Sequence, residues 1–189
     1  MKKGRLEAFS DGVIAILITI MVLDLKIPTG GDLLALKSIS LVMTSYVISF
    51  VYLGIYWNNH HHLLHAANDI NGKILWANLH LLFWLSLVPF TTNWMGRYFL
   101  ESWPVAIYGI DLLMAAIAYF ILSRTLIKHN GKDSILGKAV GKDFKGIISI
   151  FVYLFGVGFS FIYSWVSISA YILVAIMWLI PDRRIERKG

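Results

Sequence analysis

The residues of this chain that could do chemistry are few and unevenly placed. Asp11 and Asp24 bracket twelve uncharged residues, with Arg5 and Glu7 one or two helical turns upstream. Trp57, Asn58, Asn59, His60, His61, His62 and His65 crowd a short stretch, Asn78 and His80 follow Lys73, and Asp111 stands inside an apolar run. His61 and His65 are i, i+4 neighbours, a spacing at which two imidazoles can share a zinc ion. Asp69 is the nearest acid, so a solvated helix end, or a polar partner for another helix, are equally open readings. There is no cysteine, which removes disulfides, thiol nucleophiles and cysteine-zinc sites. No G-x-S-x-G, H-E-x-x-H or glycine-rich phosphate loop is present. Ser10, Asp11 and His61 might suggest a triad by type alone, but adjacent helical residues point about 100° apart, which disfavours a relay. No enzyme, metal site or cofactor is expected.

The elements that must position these groups are set by composition. Of 189 residues, 58% are hydrophobic and 15% charged, and mean hydropathy is +0.68. A soluble domain carries about 45–50% apolar and about 25% charged residues. This chain has too few polar side chains to cover a water-facing surface, so its surface must face lipid. The net charge of +6 lies in connections and ends, which marks membrane topology and not a nucleic-acid stripe. The basic start before an apolar run resembles a signal peptide only superficially. Asp11 interrupts the run, and Lys26-Ile27-Pro28 follows where small cleavage-site residues would stand. It reads as a retained first span.

Punctuation divides the chain into an all-α, polytopic membrane domain with six expected transmembrane helices: about 5–25, 33–62, 73–94, 102–127, 147–163 and 167–180. Pro28 ends the first, and Thr29-Gly30-Gly31 makes the turn. The second is longer than a bilayer needs, so its end should project into water. The apolar stretch from Ile147 to Ile180 would run roughly 50 Å as one helix, against a hydrocarbon core of about 30 Å. It therefore reads as two short spans with a break in the Ser164–Ser169 region. Trp94, Trp103, Trp165 and Trp178 near span ends read as interfacial anchors. With this threading, all of the 17 Lys and Arg residues except Lys26, Lys37 and Arg97 fall on one side. By the positive-inside rule both termini are cytoplasmic, in the cell membrane.

Twelve uncharged residues make about 18 Å of helix, so a lone span would bury Asp11 or Asp24. Charges at such depth normally face a bundle interior or a water-filled path. The first helix is therefore expected inside the protein and not at its rim. Within it, Ile16, Ile20 and Leu23 fall at i, i+4, i+7, one stripe of a helix. On periodicity alone such a stripe reads as core packing before any other role. Asn78 is expected to make an interhelical hydrogen bond. Asp111 suits either a functional intramembrane acid or a wet outer vestibule.

The run Arg5-Leu6-Glu7-Ala8-Phe9-Ser10-Asp11, followed by Gly12-Val13-Ile14-Ala15-Ile16 and Thr19, resembles the RxxxFSD signature of the transmembrane-protein-175 family of potassium channels. The likeness covers the whole chain in topology and about 20 residues in motif, and a single six-span unit resembles the bacterial form. It implies a homotetramer with the first helix of each subunit lining a central pore. It implies hydrophobic rings of Ile16, Ile20 and Leu23, with the Thr19 hydroxyl contributing to potassium preference. By the same resemblance Arg5, Phe9, Ser10 and Asp11 tie the first helix to its neighbours, with Trp57, His61 and Asn78 as partners.

The function expected is thus a potassium-selective, leak-type cation channel with a hydrophobic constriction, its partners being potassium ions and the bilayer. The T-V-G-Y-G carbonyl filter and an Arg-rich voltage sensor are both missing from the sequence. A secondary transporter should show an internal repeat and broken helices at mid-membrane, which are not evident. A transporter or a proton-conducting channel remains the alternative.

Overall fold

A computed structural model describes residues 3–141 and 143–179. The basic tail (Arg183, Arg184, Arg187, Lys188), Lys2, Lys142 and Ile180 lie outside the described residues. The described chain is helical throughout: α1 (Gly4–Leu23), α2 (Leu33–Ser38), α3 (Ser40–His65), α4 (Gly72–Arg97), α5 (Ser102–Asn130), α6 (Ile135–Val140), α7 (Phe144–Phe159) and α8 (Ser164–Leu179). Four of these, α1, α3, α4 and α5, are long and apolar enough to cross a membrane, and α7 and α8 are shorter apolar helices. At 1.5 Å per residue, the 16 residues of each reach about 24 Å.

Local chemistry sets the boundaries. Asp32, Asn71, Ser134 and Asp143 cap α2, α4, α6 and α7, each accepting a backbone N–H from three residues ahead, the usual remedy for unpaired donors at a helix start. Asp143 does so from a left-handed backbone, φ 47°. Two expected boundaries move. The segment expected over 33–62 is two helices that meet at Ile39, so the surplus length forms a separate turn-and-a-half at its start. The break expected in Ser164–Ser169 lies earlier, in the Ser160–Tyr163 turn. There Ser160 donates to Val157 O at 2.7 Å and Ser164 to Ser160 O at 3.2 Å. Serines that satisfy themselves on the preceding turn stay compatible with helix, so Ser164, Ser167 and Ser169 continue α8 and do not interrupt it.

The core is assembled in order along the chain. α4 packs on α3 and α5, α5 on α7 and α8, and α7 and α8 form a hairpin. Four buried tyrosines fasten its centre. Tyr52 donates to the Tyr171 carbonyl, Tyr153 to Tyr52 Oη at 3.2 Å, and Ser49 shares a 3.0 Å bond with Tyr108 Oη. Such rings supply apolar area while a partner satisfies the hydroxyl. Trp178 is partly buried against this core; its indole donates to Ser149 Oγ at 2.8 Å and lies edge-on to Tyr119.

α1 stands apart. Among the described residues it packs chiefly against α3 and α4, at the rim of the subunit and not inside it as the charge argument had led one to expect. The carboxylates explain the difference. Asp24 lies just past the end of α1 and is exposed, and Asp11 is half-buried near its start, so neither demands a surrounding bundle within one chain.

Candidate functional site

α1 has two faces with opposite fates. Leu6, Ser10, Ile14, Leu17 and Met21 are buried against α3 and α4, a ridge at four- and three-residue intervals. Ile16 (57% exposed), Ile20 (43%) and Leu23 (81%) lie on the outward side. Thr19 is exposed between them, and its hydroxyl donates to Ile16 O at 2.8 Å, which turns the oxygen lone pairs outward while satisfying the proton. The subunit therefore does not use the Ile16, Ile20, Leu23 stripe for its own core.

The buried face is anchored by a polar chain. Ser10 Oγ donates to Leu6 O at 2.8 Å, the Asn78 amide of α4 donates to Ser10 Oγ at 2.9 Å, and Asn78 Oδ1 accepts from His60 Nε2 of α3 at 2.7 Å. All three side chains are buried. Among apolar helices, polar contacts like these fix register and rotation, because apolar packing alone discriminates little in lipid. A second tie lies at the chain's start. Lys3 Nζ donates to the carbonyls of Leu64, His65 and Ala67 at 3.1, 2.7 and 2.8 Å, a cation on the carbonyls at and just past the C-terminal end of α3. A third is His61 Nδ1 to Glu7 Oε1 at 3.2 Å, with the His61 ring stacked between Trp57 and His65.

The remaining sequence-derived residues are not gathered there. Arg5 and Phe9 are exposed, and Arg5 and Asp11 form no ion pair within the subunit among the described residues. Six residues of helix set them about 120° apart around α1, so they do not share a face. Asp11 Oδ1 and His60 Nδ1 are both buried without a hydrogen-bond partner. Trp57 contacts His61 alone among the aromatic rings and is half-exposed. No group of three metal-ligating side chains occurs among the described residues. Sequence reasoning missed Lys3, Glu7 and His60. Glu7 had a signal, since the Glu7–Asp11 face of α1 must meet the histidine-rich end of α3. His60 differs from His61 only by helical phase. Toward the C-terminal ends of α1 and α4, an open hollow of about 610 Å³ lies between the two helices, lined by Leu17, Ile20, Asp24, Phe90, Asn93 and Arg97 among others.

Several long apolar helices with polar ties buried between them define a multi-pass membrane protein, and the family that it matches is one of ion channels, not enzymes. The chain belongs to the TMEM175 family: the model of the family described as "Endosomal/lysosomal potassium channel TMEM175" matches residues 5–89. A potassium channel of Chryseobacterium sp. (strain P1-3) is 54% identical over 187 residues, which are 99% of this chain and 97% of that one. A potassium channel of Chamaesiphon minutus is 30% identical over 189 residues, covering 92% and 91% of the two chains. The crystal structure of a lysosomal potassium-selective channel TMEM175 homolog from the same organism matches with a TM-score of 0.82 and 28% identity over 95% of this chain and 97% of that one.

Proposed function

We propose that this protein is a potassium-selective cation channel of the leak type, assembled as a homotetramer with α1 of each subunit around a central pore. The observation that carries this is the uncovered Ile16, Ile20, Leu23 stripe with Thr19 between its members, opposite a face that is packed and hydrogen-bonded into the subunit. The names of the relatives support potassium as the ion. In this reading α7 and α8 are the fifth and sixth spans, both termini are cytoplasmic by the lysine and arginine distribution, and the Ser10–Asn78–His60 chain holds α1 at the rotation that aims the stripe at the axis.

Conduction then follows from a neck and not a filter. Four copies of Ile16, Ile20 and Leu23 form apolar rings in which water is poorly held, so the closed neck is dry. Widening admits a partly hydrated cation. Potassium releases water more readily than sodium, which alone favours it, and the Thr19 oxygen adds a ligand at the same level. Flux from liposomes containing the purified protein should follow the potassium gradient without saturating or requiring a counter-ion. Ile16→Asn should wet the neck, raising the leak and narrowing the difference between potassium and sodium. An assembled Ile16→Asn tetramer with unchanged flux and selectivity would remove Ile16 from the pore. Saturable, counter-ion-dependent uptake would make the protein a transporter.

A further inference from the structure

The conduction reading leaves one buried acid unused. Asp111 lies nine residues into α5, roughly 13 Å from its outer end, and is 3% exposed. Its Oδ2 lies 2.9 Å from Thr91 Oγ1 of α4, and its Oδ1 is buried with no hydrogen-bond partner. The groups facing it are not cations. Tyr56 of α3 and Tyr108 of α5 are within electrostatic reach, Tyr171 of α8 packs on Tyr108, and Tyr153 of α7 packs on Tyr171. No Lys, Arg or His side chain pairs with Asp111 among the described residues.

The protons can be counted. Thr91 has one hydroxyl hydrogen, and three acceptors surround it: Leu87 O and Val88 O, each at 3.3 Å, and Asp111 Oδ2. If Asp111 is ionised, that single hydrogen must go to the carboxylate, the carbonyls lose it, and Oδ1 stays charged and unsolvated, which an apolar interior strongly opposes. If Asp111 is protonated on Oδ2, the acid donates to Thr91 Oγ1 and Thr91 donates onward to its own helix. Every hydrogen is then used, and only a neutral carbonyl oxygen is left over. The site lies two residues beyond Pro89, whose missing N–H leaves the carbonyl four residues back, that of Leu85, without its helical donor.

We propose that Asp111 is an internal proton-binding site, its carboxyl carried as the neutral acid that donates to Thr91 and fastens α5 to α4 beside Pro89. It is separate from the α1 surface and does not depend on which ion that surface passes. Because the folded subunit holds a proton that the unfolded chain releases, stability falls as pH rises. Alkaline loss of the proton should loosen the α4–α5 contact.

The test uses the intact protein in detergent. Infrared spectra of wild type minus Asp111→Asn at neutral pH should show the carbonyl stretch of a protonated carboxylic acid, unchanged when potassium is replaced by sodium or choline. The thermal midpoint of wild type should fall on the alkaline side, and that of Asp111→Asn, whose amide donates as the acid does, should not. If Asp111→Asn fails to assemble, Thr91→Val carries the test: the acid band should shift to the frequency of a carboxylic acid that donates no hydrogen bond. No difference band at neutral pH, a band that appears only when potassium is withdrawn, an equal alkaline fall in both proteins, or an acid band unmoved by Thr91→Val would each overturn the proposal.

Discussion

At the scale of single residues, Asn78 decides how α1 is held. It is the one side chain that reaches both Ser10 and His60, and a carboxamide is suited to this because it donates and accepts at once. Asn78→Ala should therefore cost about 1–3 kcal/mol, since it strands a buried imidazole N–H and a buried serine. Ser10→Ala should cost a similar amount, about 1–3 kcal/mol, because it removes the bond to Leu6 O and leaves a buried Asn78 N–H without its acceptor. Thermal unfolding in detergent checks both, and the double variant should cost less than the sum, since both changes cut the same chain. Much of this site was legible beforehand. Ser10, Asn78 and the histidine cluster stood out as polar residues in apolar helices, where they must find partners. Which histidine meets Asn78 was not legible, because His60 and His61 differ by one 100° step of helical phase that composition does not set. Lys3 was hidden for another reason, since its partners are backbone carbonyls, which carry no sequence signal.

At the scale of elements, α5, α7 and α8 are locked by a ring inserted between two glycines. A Cβ added to Gly156 would stand 2.5 Å from Tyr171 Cε1, and one added to Gly109 would collide with the Tyr171 hydroxyl end. The ring cannot yield easily. It is 1% exposed, and its hydroxyl donates to Val105 O at 3.4 Å. Gly156→Ala should therefore destabilise by about 1–3 kcal/mol through overpacking. Gly158→Ala, two residues on and facing open space, should be neutral or stabilising by up to about 1 kcal/mol, because alanine is the better helix former. Comparing the two thermal midpoints separates packing from propensity. The order of the long apolar helices was legible from hydropathy and punctuation, whereas two breaks and the short α6 within the glycine-rich 131–146 connector were not. The α2–α3 break at Ile39 has no proline or glycine to announce it. The α7–α8 turn was misplaced because its serines bond back to their own helices instead of ending them.

At the scale of the whole molecule, one subunit explains the rotation of α1 but not what covers its outward stripe. An apolar ridge turned away from α3 and α4 is consistent with lipid, with a copy of the same chain, or with a pore. The sequence gives an unusual means to tell these apart, because the chain has no cysteine and each introduced thiol is the only one present. Single variants Ile16→Cys, Thr19→Cys, Ile20→Cys and Leu23→Cys, with Ile14→Cys and Leu17→Cys as inward-facing controls, can be reconstituted and exposed to a charged, membrane-impermeant thiol reagent during potassium flux. A pore along the Ile16, Ile20, Leu23 stripe requires that modification at these positions block the flux, with Ile14→Cys and Leu17→Cys unaffected. Flux that persists after the reagent at every outward position, or block confined to Ile14→Cys and Leu17→Cys, would contradict a pore lined by this face of α1.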